Sequence, residues 1–136
     1  MKKILVAIDG SEASMHAARV AVTLARGLNA QLTLAHIVPP TFVPPEVPFG
    51  VQPWTEEAIA AGEKLLEAAA HESGMTCERM NLTGSAAERL ADVAETQNFD
   101  LVVVGSRGRG AVSRMLIGSV TDRLVHICKR PVLVVR

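Results

Sequence analysis

Apolar and polar positions along this chain follow two periods, one of strands and one of helices. Residues 2–9 (KKILVAID) are a short apolar run between polar flanks, and the Ile and Val content predicts a strand buried on both faces. Asp9-Gly10-Ser11-Glu12 breaks the run, with Ser11 placed as an N-cap and Glu12 in the first turn. Ala17, Val20, Ala21, Leu24 and Leu28 then recur at helical spacing, so a helix is predicted over 11–28, ended by Gly27 and Asn29. Residues 31–37 (QLTLAHI) predict a second strand. Ile59, Gly62, Leu65, Leu66 and Ala69 form one face of a helix over 55–73, closed by Gly74. Residues 76–82 (TCERMNL) are a weaker, alternating third strand suited to a sheet edge.

Ser85-Ala-Ala-Glu88 reads as a capping box opening a helix to about Thr96, with Leu90, Val93 and Ala94 facing inward. Residues 100–104 (DLVVV) are the fourth strand and the most apolar. Ser119-Val-Thr-Asp122 predicts the N-cap of a last helix, with Val120, Leu124, Ile127 and Cys128 as its buried stripe. Residues 131–136 (PVLVVR) close the chain as a fifth strand. Strands alternating with helices predict an α/β fold: a single doubly wound five-stranded parallel sheet with helices on both faces. Right-handed crossovers leave few topologies, of which the order 3-2-1-4-5 puts strands one and four at the point where strand order reverses. No internal repeat or linker divides residues 1–136, so one domain is expected.

One stretch departs from this rhythm. Residues 38–54 (VPPTFVPPEVPFGVQPW) hold six of the seven prolines and predict a long irregular excursion. Segments of this kind act as cover over a site, as dimer contacts, or stay disordered.

Composition excludes several classes. Net charge is zero, so no global field favours nucleic acid or membrane. Three Phe, one Trp and no Tyr are poor material for stacking bases. Cys77 and Cys128 are too few for a metal site or disulfide framework and read as free thiols. His16, His71 and His126 lack acidic or Cys partners at ligand spacing and read as ordinary helix residues, as His36 reads structurally at the end of strand two. No run approaches the ~18 apolar residues of a membrane span, and no signal pattern opens the chain, so a soluble cytoplasmic protein is expected.

The charge is nevertheless uneven. Residues 1–104 carry 7 Lys+Arg against 13 Asp+Glu, whereas residues 105–136 carry 7 against 1. The positive charge therefore gathers around residues 102–119, VVVGSRGRGAVSRMLIGS. Among its glycines at 105, 108, 110 and 118, Gly105 and Gly108 permit positive φ and close backbone approach, and successive N–H groups in such a turn form an anion nest. Gly118 and Ser119 stand at a helix start, where free N–H groups and the helix dipole favour phosphate. Arg107, Arg109 and Arg114 raise the local potential, and Asp122 is expected to point away. Asp9 and Gly10 end strand one and Val104 and Gly105 end strand four, so both irregularities fall at the strand-order switch. The plain alternative is a tight turn before a capped helix, with no ligand.

Gly105-x2-Gly108-x9-Gly118-Ser119 matches G-x2-G-x9-G-[ST], and with it the chain resembles the universal stress protein family, in its ATP-binding subgroup. The opening KKILVAIDGSE, AHIVPP after strand two and the closing RPVLVVR resemble that family too, so the likeness spans the whole chain. It implies a flavodoxin-like, adenine nucleotide alpha hydrolase-like fold and an ATP pocket between strands one and four. By the same resemblance Asp9 is the acidic position near the nucleotide, with Ala7 and Ile8 as backbone wall. Ile37 packs on adenine, and Val104 and Gly105 lie near the ribose. Gly108, Gly118, Ser119 and Val120 contact phosphates, and Arg107 stands where other members often carry His. Asp9 beside phosphates requires a sugar or base hydrogen bond, or a Mg²⁺ held through Mg-ATP.

Rival sites fail on residues. There is no G-x4-G-K-[ST], and a single glycine follows the first strand where a dinucleotide fingerprint needs three. Leu82-Thr83-Gly84 offers no acceptor Asp for a receiver domain, and only Trp54 could flank a flavin. No base–nucleophile set accompanies the phosphate loop. The expectation is an ATP-binding stress-response switch or adaptor, not an efficient enzyme. The alternatives are a weak Mg-dependent ATPase or a nucleotide-independent dimeric interaction protein. The apolar edge strand Val132–Val135 predicts a homodimer, because such an edge invites pairing unless covered.

Overall fold

The apolar run at the start of the chain forms β1 (Lys3–Ala7), with Ile4, Leu5 and Val6 completely buried. A computed structural model describes residues 1–41, 44–46, 54–108 and 117–136. Most of the proline-rich excursion and the 109–116 part of the basic loop, with Arg109, Gly110 and Arg114, lie outside the described residues. The strands β1, β2 (Gln31–Val38), β3 (Glu78–Thr83), β4 (Leu101–Gly105) and β5 (Val132–Val135) form one parallel sheet in the order β3-β2-β1-β4-β5. The expected topology is therefore the observed one. Val6 pairs with Leu34 of β2 on one side and with Val103 of β4 on the other.

Strand pleating sends alternate residues to opposite faces, and the core divides accordingly. Ile4, Val6, Leu101 and Val103 pack with α1 (Glu12–Leu28) and α2 (Glu56–Ser73). Leu5, Val102 and Val104 pack with α3 (Ala86–Thr96) and α4 (Ser119–Ile127) on the other face. Two helices thus cover each face, and the continuous Val/Ile/Leu runs of β1 and β4 follow from burial on both sides.

Local signals locate most boundaries. Ser11 caps α1 by accepting from the Ser14 N–H at 3.1 Å, and Thr55 caps α2 by accepting from Ala58 N–H at 3.1 Å. Gly74 ends α2 at φ +63°.

Four expectations are corrected. Helix α1 runs through Gly27 and stops at Asn29, whose φ of 52° supplies the left-handed cap. Ser85 stands at the N-cap of α3 but makes no side-chain cap bond, and Glu88, its expected capping-box partner, pairs with Arg123 of α4 at 3.0 Å. Edge strand β3 shows no clean alternation, since none of its residues is fully buried. Helix α4 begins one residue earlier than expected: Gly118 is its cap at φ −70°, ψ 159°, and Ser119 is its first helical residue. Val120, expected in the buried stripe, is 42% exposed, while Thr121 is buried at 2%.

Candidate functional site

Where β1 ends, the chain turns into α1 through a closed network. Asp9 Oδ1 accepts from the Ser11 N–H at 2.9 Å and from the Ser11 hydroxyl, and the Asp9 N–H donates to Ser14 Oγ at 3.2 Å. Ser14 Oγ in turn donates to the Ser11 carbonyl at 3.0 Å. Gly10 takes φ +85° within this turn, which a side chain would strain. The carboxylate is thereby held at the end of the strand, with Oδ2 facing the backbone of Gly108: a Cβ there would stand 2.8 Å from it.

Where β4 ends, three glycines act by what they lack. Gly105 and Gly108 do not take positive φ, contrary to the sequence expectation. Their requirement is close approach. A Cβ on Gly105 would lie 2.8 Å from both the carbonyl carbon and oxygen of Ala13, so α1 crosses directly over the strand end. A Cβ on Gly118 would lie 3.3 Å from Arg107 Cα and from Gly108 N. The Ser106 N–H donates to Val135 O at 2.8 Å, and the Gly118 N–H donates to Ser106 O at 2.7 Å. The loop's exit is thus laid back on its own entry, and both are tied to β5.

These strand ends open into a cavity of about 630 Å³, within the ~300–1,000 Å³ span of small-molecule sites. Every site residue expected from the sequence lines it: Ala7, Ile8 and Asp9 at the end of β1 and just after it; Ile37 in β2; Val104, Gly105, Arg107 and Gly108 at the end of β4 and just after it; Gly118, Ser119 and Val120 at the start of α4. The cavity has two ends of different chemistry. Ala58, Ala61 and Leu65 of α2, Ala86 and Leu90 of α3, and Ile37 form an apolar lobe. Asp9, Arg107, Gly108, Gly118 and Ser119 form a polar one. Since the α4 cap is a glycine, no side chain accepts from the first amides of that helix, which leaves them available to an anion. Asp122 does not line the cavity and lies 3.8 Å from His126.

The sequence did not single out the α2 and α3 residues, nor Ser14 and Thr121. The α2 and α3 positions carry only a core-like helical pattern, indistinguishable from packing until the helices are placed. His36 lines the cavity with its Nδ1 2.7 Å from Ile8 O, an arrangement that donates a proton to that carbonyl and leaves Nε2 as an acceptor. His16, His71 and His126 are exposed, and Cys77 and Cys128 are free and half-buried. Among the described residues no three His, Cys, Asp or Glu side chains converge as a metal site, and no helix is long and apolar enough to cross a membrane.

A parallel sheet with its ligand-sized cavity at the strand-order switch, floored by a glycine seam, defines a doubly wound α/β protein. The chain belongs to the universal stress protein family, whose model matches residues 1–136. It is 34% identical over 145 residues to universal stress protein YxiE of Bacillus subtilis, covering 98% of both chains. It is 30% identical to universal stress protein MJ0531 of Methanocaldococcus jannaschii, over 99% of this chain and 82% of that one. Among solved structures, UspA from Lactobacillus plantarum superposes with a TM-score of 0.80 at 24% identity, covering 99% and 97% of the two chains. A universal stress protein in complex with cAMP gives 0.75 at 26% identity, over 99% and 97%. One from Archaeoglobus fulgidus in complex with dAMP gives 0.76 at 20% identity, over 100% and 98%.

Proposed function

We propose that this chain binds an adenine nucleotide, ATP by its motif, and works as a stress-response switch or adaptor in the cytoplasm. The observation that carries the proposal is the seam of Gly105, Gly108 and Gly118. Backbone lies where the side chains of positions 105 and 118 would sit, and the Asp9 carboxylate where that of 108 would, beside a cavity at the switch point. The fit is chemical as well as spatial. The apolar lobe suits a purine, with Ile37 on one side of it. The amides of Gly108, Ser119 and Val120, the Ser119 hydroxyl and the Arg107 charge suit phosphates. Asp9 is the one carboxylate among the described lining residues, and it is the residue that would meet Mg²⁺ carried by the nucleotide. Relatives of this fold solved with cAMP and dAMP support an adenine base.

Isothermal titration with Mg-ATP tests this directly. The unmodified chain should bind, and Gly118→Val, or Gly108→Val combined with Ser119→Ala, should abolish binding while circular dichroism stays native. An absence of heat, with no nucleotide released on denaturation and detected by mass spectrometry, would sink the proposal. Efficient catalysis is not part of it: an ATP turnover well above about 1 s⁻¹, inside the ordinary enzyme range, would make the protein an ATPase. The proposal extends to a homodimer. Strand β5 is hydrogen-bonded only to β4 within the described sheet, and its outer edge carries half-buried Val132, Leu133 and Val134. The nucleotide would act on that dimer through unequal affinity for two states of the loop.

A further inference from the structure

Ser119 and Gly118 can meet a phosphate only if the first turn of α4 sits at a set distance from the end of β4. Two hydrogen bonds among the described residues make that joint. One is the Gly118 N–H to Ser106 O bond at 2.7 Å. The other comes from a side chain: Thr121 Oγ1 donates to Gly105 O at 2.7 Å. Thr121 is 2% exposed and lines the cavity, two residues beyond Ser119. Its acceptor belongs to the glycine packed against Ala13 of α1, so the carbonyl it holds is itself fixed by backbone contact. In α4 a short hydroxyl at the third position therefore does what a cap does elsewhere. It fastens the helix start, but to the strand end and not to the helix's own amides, which stay open toward the cavity.

From this geometry we infer that Thr121 is a positioning residue for phosphate: through Gly105 O it sets the Ser119 and Val120 amides over the Gly105–Gly108 backbone. The inference rests on the nucleotide-binding reading above and adds to it a residue that touches no phosphate. Valine has nearly the shape of threonine but lacks the donor, so Thr121→Val leaves Gly105 O unpaired and α4 without its tether. Serine keeps the donor. The base lobe, built by α2, α3 and Ile37, does not depend on this bond.

The test compares ATP with adenosine on four proteins: the unmodified chain, Thr121→Val, Thr121→Ala and Thr121→Ser. ATP is measured by calorimetry and adenosine by ligand-detected NMR at millimolar nucleoside. Thr121→Val and Thr121→Ala should each lose about tenfold in ATP affinity, the scale of one buried hydrogen bond, while adenosine affinity stays within about twofold. Thr121→Ser should restore ATP binding. Thr121→Val binding ATP as tightly as the unmodified chain overturns the inference, and so does an equal loss for ATP and adenosine, which would mark a purely structural role. If Thr121→Val does not fold, the smaller Thr121→Ala carries the same comparison. Failure of the unmodified chain to bind ATP at all overturns the nucleotide reading, and this inference with it.

Discussion

Gly27 and Gly105 show how differently one residue type acts in this chain. Gly27 lies inside α1 near its C-terminal end, and an added Cβ would meet nothing within 4 Å. Alanine there removes backbone freedom from the unfolded chain without strain, so Gly27→Ala should raise stability by up to about 1 kcal/mol. Gly105 is completely enclosed by the backbone of Ala13, which cannot swing aside as a side chain can. Gly105→Ala should therefore lower stability by about 1–3 kcal/mol, the cost of overpacking. Urea denaturation of both variants checks the pair, and a Gly105→Ala protein as stable as its parent would show that α1 can lift off β4. Gly62 belongs with Gly105: its Cβ would collide with Asn81 Oδ1 and with His36 Cδ2 at 2.5 Å, so α2 rests on β2 and β3 through that bare position.

Elements meet through a few longer-range polar contacts. Asp100 Oδ2, just before β4, accepts from the Lys2 and Lys3 N–H groups at 2.7 and 2.9 Å, and the Asp100 N–H donates back to Lys3 O at 2.9 Å. The starts of β1 and β4 are clamped together in this way, at the end of the sheet opposite the cavity. The Lys2 amide first, and the Lys3 amide second, hold the Asp100 carboxyl below its ordinary value of 3.8. With the folded value depressed, the unfolded chain binds more protons in the acid window, so stability rises with pH there. The clamp's contribution is full above the unfolded value and is lost as pH falls through the folded one. Asp100→Asn should accordingly be less stable than the parent at about pH 6, and the gap should close below about pH 4. Denaturant titrations across that range decide it: a gap that does not change with pH would show that the carboxylate charge plays no part. The Glu88–Arg123 bridge between α3 and α4 has both side chains at least half exposed, so it sets orientation more than stability.

At the scale of the whole molecule, strand order places the cavity and the free edge of β5 on neighbouring elements. Pro131 O and Val135 O accept from Val102 and Ser106 of the β4 side. By the two-residue alternation of a parallel ladder, the amides of Val132 and Val134 face away from β4. Val134→Pro removes one outward donor and leaves the β4 ladder intact, a substitution that edge strands tolerate. If the proposed homodimer pairs through this edge, Val134→Pro should sediment as a folded monomer at micromolar concentration while the unmodified chain sediments as a dimer. A monomeric unmodified chain would remove the pairing. Bound nucleotide should also raise the unfolding free energy by about 2.7 kcal/mol at a hundredfold excess over Kd, a shift readable by calorimetry that Gly118→Val should not show.

What the sequence by itself determined is whatever depends on neighbours along the chain. The Ile/Val runs at 2–9 and 100–104, the cap at Ser11 and the left-handed stop at Gly74 are local choices, so strands, helices and most of their limits were legible. The doubly wound topology followed from those elements, because right-handed crossovers leave few ways to join them. The same topology told in advance that Asp9 and Gly105 would share one end of the sheet, and every site residue expected from spacing and resemblance does line a single cavity. Only the tertiary structure decided what distant residues do to one another. Glu88 left its capping box for Arg123, α4 began at Ser119 with Gly118 as its cap, and Val120 came to lie exposed while Thr121 was buried. The apolar lining likewise exists only because α2 and α3, on opposite faces of the sheet, both contribute residues to the cavity at its strand ends. Gly105, expected for positive φ or close approach, is needed for close approach alone, because Ala13, ninety-two residues earlier, leaves no room for a Cβ. Periodicity and capping are short-range energies written in order along the chain, whereas close packing is set by which surfaces fold against each other.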